Sequence, residues 1–147
     1  MIIIIFVMVV IILFMNKGKK LSLPFNGVYP ITSRYGYRTH PVTGVLSSFH
    51  NGIDYALPID TPLRAMSKGK VLSVYENAVG GKQLIIQYDN GFRSGFAHLQ
   101  KILVAPGENV DTSTVVARSG NTGQSTGPHL HLTLRYKGEL VNPENHV

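Results

Sequence analysis

Asn90-Gly91 lies between two apolar-rich stretches, Gln83 to Tyr88 and Phe92 to His98. Glycine accepts the positive φ that a tight hairpin needs, and asparagine tolerates it better than most side chains, so the pair reads as a hairpin turn. It commits the middle of the chain to antiparallel pairing. The flanking sequence agrees. Lys70 to Tyr75 alternates Val71 and Ser73 with Leu72 and Val74, the period of a strand. Thr32 to Tyr37, His50 to Ala56 and Thr114 to Ala117 read as further short strands, and His129 to Tyr136 as a longer one. Turn residues separate them: Thr-His-Pro-Val-Thr-Gly at 39–44, Pro58 with Asp60 and Pro62, the glycines of 79–82, Pro106-Gly107 within 104–110, and the loop from Gly120 to Pro128. Beyond the first 16 residues no stretch of helical length shows a 3.6-residue period. Many short strands between regular turns predict an all-β sandwich or barrel.

The 147 residues suit a single domain. There is no cysteine, which excludes a disulfide framework, thiolate metal sites and a cysteine nucleophile. Any metal must be held by His, Asp or Glu. The formal charge is +6, but Lys17, Lys19 and Lys20 cluster near the start, and the remaining 11 basic residues face 8 acidic ones. That excess is too small and scattered for a nucleic-acid surface.

Met1 to Met15 is continuously apolar, with no charged side chain. A spanning helix needs roughly 17–25 such residues; Asn16 and a snorkelling Lys17 extend the run to that range. No basic n-region and no small-x-small cleavage site mark a removable signal peptide. The expectation is a membrane anchor at 1–16, a linker at 17–26 and one folded domain at 27–147. The lysine-rich flank favours the cytoplasmic side, which conflicts with a domain working outside; a membrane-containing phage particle would remove the conflict.

Two histidines one residue apart, His129 and His131, follow the Gly120–Pro128 loop. On a strand both imidazoles point to one face. His50 and Asp54 are four apart and also share a face on a strand. A histidine and a carboxylate from one strand with a histidine from another make a three-ligand site with an open fourth position, the pattern of catalytic zinc. His98, in Phe96-Ala97-His98-Leu99, ends the hairpin strand and could serve as a general base there.

These clusters resemble the lysostaphin-type zinc metallopeptidases, from about Ile31 to Pro143. The carriers are His50-x-x-x-Asp54, Ala97-His98-Leu99 and Ser125-Thr126-Gly127-Pro128-His129-Leu130-His131, with Ser33 to Arg38, the 40–44 turn and Ser119 to Gly123 in support. The resemblance implies a mainly antiparallel all-β fold of the duplicated hybrid, barrel-sandwich type. It implies one Zn²⁺ bound by His50, Asp54 and His131, with His98 and His129 catalytic. It implies hydrolysis of peptidoglycan peptides, and the Arg-rich start and Thr-His-Pro-Val-Thr-Gly turn look more like D,D-endopeptidases than glycyl-glycine cutters. Arg34, Arg38, Asn121 and Ser125 are expected near the substrate. No long prodomain or separate wall-binding domain accompanies these motifs, so targeting falls to the anchor.

Two other readings stay open at this point. One is a catalytically silent wall-binding or activator module of the same fold. The other is a histidine phosphocarrier, suggested by His50-x-Gly52-Ile53-Asp54. A silent module would lack one or more of the five site residues, none of which is missing here, and the carrier needs neither the His129-x-His131 pair nor a metal. His40 reads as a turn residue, His146 as part of a disordered C-terminus, and Tyr35, Tyr37 and Phe49 as packing residues or cleft walls.

Overall fold

The computed structural model describes residues 21–39 and 44–147. The apolar run of 1–15, the lysines of 17–20 and most of the 39–44 turn lie outside the described residues. Among the described residues no helix is long and apolar enough to cross a membrane.

The described residues are all-β, as the periodicity of that part of the chain predicts. In order, the strands are β1 (Ile31–Ser33), β2 (Gly36–Thr39), β3 (Leu46–His50), β4 (Gly52–Tyr55), β5 (Pro62–Arg64), β6 (Gly69–Asn77), β7 (Gly81–Tyr88), β8 (Phe92–Leu99), β9 (Lys101–Ile102), β10 (Asn109–Val110), β11 (Val115–Arg118), β12 (Leu130–Tyr136) and β13 (Glu139–Leu140), before a short 3₁₀ turn at Pro143–Asn145. The main sheet has eight strands, ordered β1-β4-β12-β8-β7-β6-β10, with β13 added to β12. A three-stranded sheet, β5-β11-β9, and a hairpin, β2-β3, complete the fold. The pairings are antiparallel.

The expected hairpin forms between β7 and β8. Only its glycine takes positive φ, +89° at Gly91, so the loop is a three-residue turn closed by a left-handed glycine rather than a two-residue one. The Asn90 side chain accepts a hydrogen bond from the Phe92 amide at 3.2 Å.

Strand β12 is the spine. Leu130, Leu132 and Leu134 are fully buried on its inner face, while His131, Thr133 and Arg135 lie on the other. The leucines join one hydrophobic cluster with Ile53 and Tyr55 of β4, Leu84 and Ile86 of β7, Phe96 of β8, and Leu63 and Val116 of the small sheet. Truncating such a leucine to alanine costs about 2–5 kcal/mol. The buried Tyr88 hydroxyl is satisfied by Ser94 Oγ at 2.7 Å and by the Met66 amide at 3.1 Å. Burial pushes its pKa up to about 12.

Four local readings differ from the structure. Thr32–Tyr37 is broken at Arg34–Tyr35, before Gly36 with φ +110°. Pro62, read as a breaker, opens β5, where its missing N–H costs nothing. Leu21 and Phe25, in the stretch read as linker, are buried in the core. His146 is ordered rather than frayed: its ring lies tilted against Phe92 with centroids 5.0 Å apart, and its carbonyl accepts from the Leu21 amide at 3.2 Å.

Candidate metal centre and its histidine pair

Register brings the first three residues together. His131 of β12 lies directly opposite Asp54 of β4, so both side chains leave the sheet on the outer face. Gly52 precedes Asp54 on that face. A Cβ there would sit 2.4 Å from the Leu132 carbonyl oxygen and 2.9 Å from the His131 ring, so only glycine lets these strands approach. His50 ends β3, paired with Gly36 in the hairpin, and the chain crosses to the main sheet through Asn51. The shared face of His50 and Asp54 expected from their spacing is therefore reached across a strand change.

His50 Nε2 is 3.3 Å from His131 Nδ1 and 3.4 Å from Asp54 Oδ2, and His131 Nδ1 is 2.7 Å from Asp54 Oδ1. Ligand atoms of all three lie within 4.8 Å of one another. Their outer partners set the protons. His50 Nδ1 faces the Arg34 carbonyl at 2.9 Å; a carbonyl only accepts, so Nδ1 donates and Nε2 keeps its lone pair. His131 works the other way round, with Nε2 donating to Asn51 Oδ1 at 3.0 Å and Nδ1 turned inward. Two ring nitrogens and a carboxylate then converge, and the proton that His131 Nδ1 gives to Asp54 in the 2.7 Å bond is the one a cation would displace. Nitrogen and oxygen ligands with outer acceptors on each ring fit zinc.

The second pair approaches from the other side. His98 Nδ1 donates to the Thr122 carbonyl at 2.7 Å. His129 Nδ1 donates to the Gly127 carbonyl at 2.9 Å, beside Ser125 Oγ at 3.0 Å. Each Nε2 is left as an acceptor. The two rings are 4.6 Å apart, and His98 is 6.3 Å from the ring of His131. All five residues line one cavity of about 440 Å³, with Asn51, Asn77, Gln83 and Gln124 among its other walls.

Burial lowers the pKa of His50 and of His98, against the neighbouring carbonyls that favour their charged forms. Burial thus favours the neutral, proton-accepting form of both rings. Burial works against ionisation of Asp54, but its hydrogen bond to His131 and the surrounding imidazoles prevail and hold its carboxyl below the usual range.

The expected substrate contacts fall in different places. Ser125 bonds to His129 and to the Gly127 carbonyl at 2.9 Å, so it buttresses the ring. The Arg34 side chain pairs with Glu144, while its carbonyl serves His50. Arg38 is exposed on β2, near enough for its charge to disfavour protonation of His50. Asn121 Oδ1 is buried without a hydrogen-bond partner among the described residues. Tyr35 and Tyr37 both meet Phe49 edge-on, at 5.2 and 5.1 Å, and stiffen the hairpin that ends in His50. Sequence reasoning passed over Asn51, Thr122 and Gln83. Asn51 had a usable signal: a ligating histidine needs an acceptor for its outer N–H, and Asn51 adjoins a ligand candidate.

The family model described as "Peptidase family M23" matches residues 48–143. The peptidoglycan DD-endopeptidase ShyA of Vibrio cholerae is 38% identical over 134 residues, covering 86% of this chain and 31% of that protein. The DD-carboxypeptidase/endopeptidase Mpg of Neisseria meningitidis is 41% identical over 113 residues, covering 77% of this chain and 26% of its own. The chain thus spans between a quarter and a third of these relatives. Among solved structures, a zinc-containing peptidase from Vibrio cholerae superposes with a TM-score of 0.74 at 36% identity, over 84% of this chain and 39% of that one. The catalytic domain of lysostaphin from Staphylococcus simulans does so with 0.69 at 29% identity, over 80% and 90%. With the matched stretch running from β3 to the 3₁₀ turn and enclosing all five site residues, the chain belongs to peptidase family M23.

Proposed function

We propose that this protein is a zinc-dependent endopeptidase that hydrolyses peptide cross-links of bacterial peptidoglycan, of the D,D type. The observation that carries the reading is the convergence of three inward-facing ligand atoms and two free imidazole acceptors in one open cavity. The names of the ShyA and Mpg relatives support the substrate class.

His50 Nε2, Asp54 and His131 Nδ1 would hold the ion. When bound, zinc supplies Lewis acidity, activating water and polarising the scissile carbonyl. His98 and His129 do the rest of the work. Their Nε2 atoms accept the proton of the attacking water, stabilise the developing oxyanion once charged, and return a proton to the departing amine. Burial of His98 favours its neutral form, the one that can take the proton. The exposed guanidinium of Arg38, close enough to act on His50, supports a contact with a stem-peptide carboxylate. The run of 15 apolar residues at the start supports attachment to a membrane; pelleting with membranes in high salt tests it, and release by salt alone would reject it.

The test of the enzyme is direct. Purified protein should digest sacculi containing D-Ala–diaminopimelate cross-links, lose that activity to a chelator and regain it with zinc. If zinc-loaded protein cleaves neither such sacculi nor a pentaglycine-bridged wall, the peptidase reading fails and a silent wall-binding module replaces it.

A further inference from the structure

His98 is in a place where regular β-structure would not put it. Alternation along β8 buries Phe96 and turns Ala97 to the cavity, so the next residue should point back to the core. Instead His98 also lines the cavity. The reason is a bulge. Lys82 pairs with Leu99 and Leu84 with Phe96, so Gln83 alone opposes both Ala97 and His98. His98 absorbs the extra residue by taking a left-handed φ of +60°, a conformation a non-glycine residue holds only under constraint.

The constraint is Thr122. Its hydroxyl accepts from the Lys82 amide at 3.1 Å and donates to the Leu99 carbonyl at 2.7 Å, bridging the pair that flanks the bulge. Its carbonyl takes the His98 Nδ1 proton at 2.7 Å. Two left-handed glycines make room for it. A Cβ at Gly81 (φ +62°) would lie 2.3 Å from Thr122 Oγ1, and one at Gly123 (φ +77°) 2.3 Å from the Gly81 nitrogen. One residue therefore closes the broken ladder with its side chain and fixes the imidazole with its backbone.

We propose that Thr122 is the positioning residue for His98: its hydroxyl pins the bulge so that the ring faces the cavity with the proton on Nδ1. This rests on the endopeptidase reading for its kinetic consequence, not for its structural one. The variants are Thr122→Val, which keeps the shape and loses the hydroxyl, and Thr122→Ser, which keeps the hydroxyl. In the full-length zinc-loaded protein, the valine variant should lower kcat on the order of ten- to a hundred-fold, as a small misplacement of a reacting group does. KM and zinc content should hold, and the serine variant should stay near wild type. Independently of activity, ¹⁵N spectra of the histidine rings should show Nδ1-protonated His98 in wild type and lose that signature in the valine variant, with faster amide exchange at Lys82. If the valine variant does not fold, Thr122→Ala removes the same hydroxyl without added bulk and carries the same expectation. Unchanged ring spectra and kcat in the hydroxyl-less variant overturn the proposal, and so does a serine variant as impaired as valine. Wild-type protein that leaves every wall intact overturns the peptidase reading instead, while the ring spectra still decide the role of Thr122.

Discussion

The two halves of the site are built by opposite means. His131 and Asp54 face each other because β12 and β4 pair in regular register. His98 and His129 reach the same cavity through irregular backbone: a bulge with positive φ for one, and for the other a loop whose Gly127 carbonyl sets the ring. Regular pairing suits a ligand set, which must hold its spacing whether or not the ion is present. Irregular backbone lets two rings enter the cavity from outside the ladder. The difference implies that the halves fail separately.

His131→Ala should have the largest effect. With one of three donors removed, zinc should fall from about one per chain to near none after dialysis, and hydrolysis should vanish with it; metal content by atomic absorption is the check. Full occupancy in that variant would take His131 out of the ligand half. His98→Ala should keep its zinc and lose about 10²–10⁴-fold in rate, the usual weight of general acid–base assistance. Loss of metal from this variant would break the division and make the halves one unit.

Gly52→Ala sharpens the comparison from the ligand side. Its new methyl would press on the Leu132 backbone and the His131 ring. Such overpacking costs about 1–3 kcal/mol, read by urea or thermal unfolding. Because the strands must part at the ligand pair, zinc should also exchange faster, while His98 ring signals stay put.

The smallest effect is on pH. Burial holds His50 and His98 below their ordinary 6.5, so the native state stays neutral where the unfolded chain takes up protons. That stability is present above 6.5 and is lost as pH falls toward the folded values. Asp54, also shifted down, adds stability above its ordinary 3.8 that is lost only in stronger acid. In chelator, the melting temperature should drop on acidification from about pH 7 to 5, with a shallower slope in His98→Ala. An equal slope would mean that His98 is solvated.

What the sequence made legible follows the same divide. Two-residue alternation located the inner face of β12 and the outward His131, and Asn90-Gly91 located the central hairpin. Local patterns suffice for these because ladder geometry repeats. The bulge at His98 depends on Thr122, 24 positions away in sequence, filling a gap between two strands, and no local pattern encodes that meeting. Strand β3 escaped notice because Leu46 to His50 shows no apolar alternation, and β10 because it is two residues inside a Pro-Gly loop. His129 read as the first residue of β12; it instead pairs singly with Gly120, just before the strand begins.

The hydrogen bond from the Leu21 amide to the His146 carbonyl has a consequence for engineering and for evolution. The chain enters and leaves this body at nearly the same point. A unit so arranged can be spliced into a host loop, or its ends joined and reopened elsewhere, with little change to the path between. Its site can therefore travel as a cassette, with address and regulation supplied by whatever flanks it.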